Sequence, residues 1–235
     1  MHVGTVQSPL SCLGFNIAPG RMEELLPFIR PGDRAVFRAG TLRIYDRQNV
    51  SVIPYGGLKV ADLQAGPSAS LPGPALHQAL LRMGLPGRIG LAYDSALCRA
   101  LEILREHGGD RDALREAVSF LLGRGRGLTP SGDDILMGYG AGLWAWGEPE
   151  PLCCALRGTL RRQTTDISAA YLNAILDGYV NEDYKALFSA ARTGREEEYD
   201  RLLEQISCHG HTSGCDGLLG LLTAIEMLNR PAQGA

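Results

Sequence analysis

One eight-residue pattern, S-G-x-D-x-L-x-G, occurs twice in the chain, at residues 131–138 and 213–220, and each copy begins an apolar segment. Serine is a preferred N-cap, and an acid in the first turn favours the positive end of a helix, so each copy predicts a helix start. Glycine inside a helix costs about 1 kcal/mol relative to alanine, and close approach of another backbone is the common compensation. We therefore expect the two helices to cross near Gly138 and Gly220, so that their first turns meet.

The chain changes from strand patterns to helical patterns near a proline- and glycine-rich stretch at residues 66–74. The predicted strands are 35–37 and 42–45, which flank a turn, then 50–53 and one within 10–17. One predicted helix begins at Asp94-Ser95. The other predicted helices span residues 110–122, 135–146, 151–163, 165–178, 182–191 and 196–207. The sequence predicts an α+β protein. A small β-rich N-terminal subdomain at residues 1–66 is followed by a larger, mostly α-helical subdomain at residues 74–235, which carries the ligand site.

Composition excludes several classes of protein. With 235 residues, 45% hydrophobic and 21% charged, the chain resembles an ordinary packed globular protein. Its longest apolar stretch, residues 135–146, is shorter than the roughly 18 residues that a membrane span needs. A net charge of −3 disfavours a nucleic-acid-binding protein. The first residues do not resemble a secretory signal, so we expect a cytoplasmic protein with reduced cysteines, and neither a membrane nor a nucleic acid as partner.

A glycine-rich loop precedes the first copy of the pattern. Residues 123–134 read GRGRGLTPSGDD, and alternate glycines let successive backbone N–H groups face one concavity. The helix start adds free N–H groups, and the loop adds hydroxyls and arginines, so we predict an anion site that is best suited to phosphate. The loop lacks the GK[ST] ending of a P-loop, and no strand precedes it as in a dinucleotide fingerprint. The structural alternative is an interhelix loop with a capping box formed by Ser131 and Asp134.

The acids of the two copies, Asp134 and Asp216, have two interpretations. Either they hold a Mg²⁺ ion that bridges to phosphate oxygens, or they cap the helices and bind guanidinium groups or the ligand. We favour the second interpretation, so no cofactor is predicted and Mg²⁺ is kept as the alternative. Asp133 is expected to be the more available acid of the loop, because Asp134 occupies the capping-box position.

Two further segments contribute to the predicted site. His211 is interpreted as a hydrogen-bond donor or general acid–base, although residues 208–215 also offer cysteines and histidines for a soft metal at non-standard spacing. Residues 165–168 have the pattern of a third polar helix start behind a pair of arginines. The structural alternative is an ordinary helix cap, and the functional one adds Arg162 and Thr165 to the anion site.

Three motifs together resemble a known family. They are the loop at residues 123–134, Thr-Thr-x-Ile-Ser at residues 164–168 and Gly-His-Thr-Ser-Gly-x-Asp at residues 210–216. In this order they resemble the AllH-like family, which includes a subunit of oxamate carbamoyltransferase from allantoin degradation, a branch of purine catabolism. The resemblance extends from about Val36 to Leu228. Arg126 departs from the family pattern, in which proline is expected at this position in many relatives.

The resemblance implies a carbamoyltransferase subunit. Carbamoyl phosphate and oxamate would give oxalurate and phosphate, with the physiological reaction in the reverse direction, and companion subunits would assist. Two other functions are kept open: a non-catalytic, anion-sensing regulatory subunit, and a metal-dependent phosphotransferase or hydrolase. The carbamoyltransferase subunit and the anion-sensing subunit would both have a small anionic or phosphorylated metabolite as ligand.

The predicted site residues fall into two groups. His211, Asp133 and Asp216 are assigned to catalysis. Substrate binding is assigned to Gly125, Arg126, Gly127, Thr129, Ser131, Gly132, Asp134, Arg162, Thr165, Thr212, Ser213 and Gly214. No residue is assigned to a metal.

Overall fold

The computed structural model describes residues 2–46, 49–68, 71–159 and 163–230. The chain divides into two compact units, residues 1–62 and residues 63–235. Strands occur in the first unit and helices dominate the second, so the predicted α+β class, with a β-rich N-terminal part and a mostly helical remainder, is confirmed.

The first unit contains a three-stranded antiparallel sheet, as the alternating apolar pattern predicts. Its strands are β3 (Arg34–Arg38), β4 (Thr41–Tyr45) and β5 (Val50–Pro54). The turn between β3 and β4 is formed by Ala39 and Gly40, with φ values of 48° and 72°. Two consecutive positive φ values are typical of a tight hairpin turn whose twist matches that of the strands. The predicted hairpin and third strand are thus confirmed.

A separate pair of parallel strands lies at the beginning of the first unit, where β1 (His2–Thr5) pairs with β2 (Gly14–Ile17). The strand predicted within residues 10–17 therefore exists, but it belongs to a different sheet from the hairpin. Helix α1 (Pro19–Leu25) follows it. The core of this unit consists of Ile17, Leu25, Leu42 and Ile53.

The second unit is built of nine helices within its described residues. They are α2 (Pro74–Arg82), α3 (Ser95–Glu106), α4 (Arg111–Leu121), α5 (Ser131–Trp146), α6 (Glu150–Thr159), α7 (Asp166–Leu176), α8 (Glu182–Thr193), α9 (Tyr199–Ser207) and α10 (Ser213–Leu228). Asp94, Asp110 and Thr165 accept hydrogen bonds from first-turn amides of α3, α4 and α7, which confirms these predicted helix starts. Helix α2 was not predicted. None of the described helices is long and apolar enough to cross a bilayer.

Helices α5 and α10 form the centre of the second unit and are buried along most of their length. A Cβ atom on Gly138 would overlap the carbonyl oxygen of Gly217 and lie 2.9 Å from its Cα atom. A Cβ atom on Gly220 would overlap the carbonyl oxygen of Ile135 and lie 2.8 Å from the backbone nitrogen of Tyr139. The predicted crossing at these glycines is therefore confirmed, because only glycine allows backbones to approach this closely.

Candidate functional site

The first turns of α5 and α10 meet, as the repeated pattern predicts. Thr129, just before α5, and Ser213, the first residue of α10, have hydroxyl oxygens 3.2 Å apart. The carboxylate of Asp134 lies beside the hydroxyls of Ser213 and Thr129, and that of Asp216 lies beside the hydroxyls of Ser131 and Thr212. Each acid thus lies beside the serine of the opposite helix. The structure therefore brings the two copies of the sequence pattern together at one site.

The serines do not cap their own helices, so the predicted N-caps and capping box are wrong. The N-cap residues are Pro130 and Thr212, and neither forms a side-chain cap. Backbone carbonyls replace them: the N–H of Gly132 donates to the oxygen of Arg124 at 2.8 Å, and the N–H of Gly214 donates to that of His209 at 3.0 Å. Because these amides are satisfied, the serine hydroxyls are available to the carboxylates across the helix interface.

Asp134 is buried, with 5% of its surface exposed. Burial raises its pKa to about 8, since desolvation disfavours the charged form. Hydrogen bonds from Ser213 and Thr129 oppose this effect, and the negative charge of Asp216 reinforces it. Asp134 Oδ2 is nevertheless buried with no hydrogen-bond partner among the described residues.

Asp216 is completely buried, and its Oδ1 accepts a 2.9 Å hydrogen bond from the N–H of Gly90. Burial raises its pKa, whereas hydrogen bonds from Gly90, Thr212 and Ser131 lower it. Its Oδ2 has no hydrogen-bond partner within the part of the chain that the structure describes. Two buried carboxyl groups thus each keep one oxygen that the described protein atoms do not satisfy, which is uncommon in folded proteins.

Gly90 is a site residue that the sequence analysis missed. It is exposed and follows a short 3₁₀ turn at Leu85–Gly87. A Cβ atom at this position would overlap the hydroxyl of Ser131 and lie 2.6 Å from that of Thr212 and 3.4 Å from Asp216 Oδ2. Only glycine therefore lets the backbone approach these three polar groups so closely. A lone glycine in a loop carries no sequence signal for this role.

Asp133 is satisfied on all sides. Its Oδ1 accepts a 2.6 Å hydrogen bond from the N–H of Gly123, and its Oδ2 accepts hydrogen bonds from the hydroxyls of Thr164 and Ser168. The side chain is completely buried. The expectation that Asp133 is the more available loop acid is therefore wrong: it joins the glycine loop to the start of α7, and Asp134 has the unsatisfied oxygen.

We predict that Asp133→Asn lowers the free energy of unfolding by about 3 kcal/mol, because an amide cannot replace three hydrogen bonds to a buried carboxylate. Urea denaturation followed by circular dichroism measures the change. Asp166→Asn is the matched control, since Asp166 is an exposed acid at the start of α7. An equal, small effect of both substitutions would show that Asp133 does not join the loop to α7.

The glycine loop exposes part of its backbone. Gly123, Gly125 and Gly127 have φ values of 72°, 119° and 101°, which favour glycine. The amides of Gly125, Arg126 and Gly127 form no hydrogen bond to the described residues, so they remain accessible to an anion. Arg126 is exposed and without an ion pair in the described structure. The guanidinium of Arg124 instead lies 3.9 Å above the ring of Phe120.

The remaining predicted residues that the structure describes lie in two kinds of environment. Gly132 and Gly214 are tightly packed, since a Cβ on either would overlap the carbonyl oxygen of Leu121 or Ile206. Thr165 caps α7 by accepting a 3.0 Å hydrogen bond from the N–H of Ser168. Arg162 lies outside the described residues. The roles assigned to all the predicted site residues stay predictions.

His211 is exposed, and its side chain forms no hydrogen bond or ion pair with the described residues. Its neighbour His209, which the sequence analysis did not select, is more strongly held. His209 Nε2 lies 2.7 Å from Asp183 Oδ2, and Nδ1 lies 3.3 Å from the amide nitrogen of Asn181. The side-chain oxygen of Asn181 accepts a hydrogen bond from the N–H of Tyr184, so Asn181 Nδ2 is the donor to His209 Nδ1. The ring proton of His209 is therefore on Nε2, which donates to Asp183.

The described residues contain no group of three or more His, Cys, Asp or Glu side chains arranged for a metal. The soft-metal alternative at residues 208–215 thus finds no support, and the pair formed by Asp134 and Asp216 is the remaining arrangement of acids at this site. Chemically, the site combines exposed amides, an exposed guanidinium and hydroxyls with two buried carboxyl groups.

Comparison with known proteins supports the predicted resemblance. Residues 121–225 match the family model described as oxamate carbamoyltransferase subunit AllH. No solved structure matches the chain. The matched segment contains the glycine loop, the start of α7 and the first turn of α10, which together carry the geometry described above. Over residues 121–225 the chain is therefore a match to the AllH family, and the resemblance predicted from its three motifs is confirmed.

Proposed function

We propose that this chain is a carbamoyltransferase subunit and that the joined first turns of α5 and α10 bind a small anionic or phosphorylated substrate. The carrying observation is that two remote copies of one pattern meet at a single site within the segment that matches the AllH family. The family description names a subunit, so companion subunits are part of the proposal.

The phosphate would bind at the glycine loop. The accessible amides of residues 125–127 and the guanidinium of Arg126 provide several donors on one exposed segment. Backbone amides and arginine are the groups that commonly bind phosphate oxygens in proteins. Thr129 and Ser213 lie next to this segment and link it to the buried acids.

The proposed reaction is the phosphorolysis of oxalurate. An oxygen of phosphate attacks the carbamoyl carbon, the bond between this carbon and the oxamate nitrogen breaks, and that nitrogen takes up a proton. Donors at the loop and helix starts would stabilise the oxyanion that develops on the carbamoyl oxygen. His211 is the proposed proton donor, since it is exposed two residues before α10 begins.

The test is the phosphorolysis of oxalurate by the purified chain, alone and together with its companion subunits. We expect turnover in the complete assembly, together with binding of inorganic phosphate. Phosphate binding without turnover in either preparation would favour the anion-sensing subunit over the enzyme.

We predict that Arg126→Gln weakens phosphate binding about tenfold, because one charge-assisted contact is lost. Isothermal titration calorimetry measures the affinity. Arg99→Gln is the matched control: Arg99 is an exposed arginine on α3 that pairs with Glu116 at 3.1 Å. Equal phosphate affinities in both variants would contradict a phosphate site at the glycine loop.

A further inference from the structure

Asp134 and Asp216 are two buried acids that have no counter-charge among the described residues. No lysine, arginine or histidine of the described residues forms an ion pair with either carboxylate. Both have a buried Oδ2 atom that no described protein group satisfies. Buried charges in proteins are paired, coordinate metals or lose their charge, and each of these two atoms leaves a position for a ligand that the described residues do not fill.

The surroundings of the two atoms restrict what that group can be. Each carboxylate is lined by hydroxyls, of Ser213 and Thr129 at Asp134 and of Ser131 and Thr212 at Asp216. When both carboxyl groups are ionised, they repel an anion alone, although the adjacent loop presents amides and arginine to an anion. A cation between the carboxylates and the anion removes this conflict, because it is attracted to both.

Mg²⁺ suits this arrangement better than Zn²⁺ does. Zinc sites in proteins usually have three or four nitrogen, sulfur or carboxylate ligands, and the described residues offer no such group. Mg²⁺ is commonly bound by one or two carboxylates, water and the phosphate oxygens of a substrate. Two carboxylates beside a phosphate-binding loop correspond to this second pattern.

We propose that Asp134 and Asp216 together bind a divalent cation, Mg²⁺ or Mn²⁺, which also binds the phosphate of the substrate at the glycine loop. The phosphate half of this assignment rests on the proposed function, and the cation half does not. Gly90, an exposed residue, packs its backbone directly against this pair: its N–H donates to Asp216 Oδ1 at 2.9 Å, and a Cβ atom there would overlap the hydroxyl of Ser131.

The test measures Mn²⁺ binding to the full chain by electron paramagnetic resonance, with and without inorganic phosphate. We expect one saturable site, with tighter binding when phosphate is present. Asp134→Asn and Asp216→Asn should each weaken Mn²⁺ binding at least about tenfold, because asparagine has nearly the same shape as aspartate but lacks its negative charge. Asp166→Asn, which removes an exposed charge at the start of α7, should leave it unchanged. Thermal melting shows whether each variant is folded.

Three outcomes would overturn the assignment in whole or in part. No saturable Mn²⁺ site in the wild-type chain, even with phosphate, overturns the cation site, as does wild-type affinity in both folded Asn variants. Loss of binding in these variants without any effect of phosphate retains the cation site and overturns the bridge to phosphate. Calorimetry of phosphate binding in the presence of a chelator tests the anion site alone. Loss of this binding would count against the proposed function, whereas loss of Mn²⁺ binding would count against the cation site, so the two failures are distinguishable.

Discussion

Gly220→Ala is expected to lower the free energy of unfolding by about 3 kcal/mol or more and to leave much of the helical unit unfolded at moderate urea concentrations. The added methyl group would overlap the carbonyl oxygen of Ile135 and lie 2.8 Å from the backbone nitrogen of Tyr139. Both neighbours are backbone atoms of a buried helix, so no side-chain rotation can relieve the overlap. The two helices would have to separate, and their apolar faces would lose contact.

Urea denaturation followed by circular dichroism measures this loss. The matched control is Gly158→Ala, because Gly158 lies in α6 and a Cβ atom there would meet nothing within 4 Å. Alanine at this position should raise the free energy of unfolding by about 0.5–1 kcal/mol, through its higher helix propensity. A Gly220→Ala protein as stable as the wild type would contradict the tight crossing of α5 and α10.

Asp134→Asn is expected to have the opposite effect and to stabilise the metal-free protein at alkaline pH. Burial raises the pKa of Asp134 from 3.8 to about 8, so the folded protein retains a proton that the unfolded chain releases between these pH values. The stability of the wild-type protein therefore falls as the pH rises from 3.8 to about 8, and above that range the full cost of a buried charge is present. Asparagine carries no charge at any of these pH values.

One pKa unit corresponds to about 1.4 kcal/mol, so the gain in the free energy of unfolding should be at least about 2 kcal/mol larger at pH 9 than at pH 5. Urea denaturation at both pH values, in the presence of a chelator, measures it. Asp166→Asn, which removes an exposed carboxylate at the start of α7, is the matched control at both pH values. A gain from Asp134→Asn that is the same at pH 5 and pH 9 would mean that Asp134 is not held in its protonated form by burial.

Elements with strong local signals could be predicted from the sequence. The hairpin of β3 and β4 was predicted because apolar alternation on both sides of a short turn requires only neighbouring residues. The starts of α3, α4 and α7 were predicted because their N-cap side chains bond to amides two or three residues away. Helix α2 begins without a side-chain cap, and it was missed.

The partners within the site were harder to predict. Ser131 followed by Asp134 three residues later is a pattern that fits a capping box, and the same pattern occurs here with both side chains turned to the other helix. The choice depends on whether the first-turn amides already have acceptors, and the carbonyls of Arg124 and His209 provide them from outside the helices. Asp133 was misjudged for the same reason, since its hydroxyl donors come from the start of α7.

The sequence by itself determined most of the segments that become helices, α2 excepted, and that two of them must approach closely, because in-helix glycines and repeated helix-start residues are local chemistry. Only the tertiary structure decided which oxygen of which acid stays unsatisfied. That outcome depends on donors such as the N–H of Gly90, which is 126 residues from Asp216 along the chain. Burial, and with it the raised pKa values of both acids, arises only when these remote segments pack together.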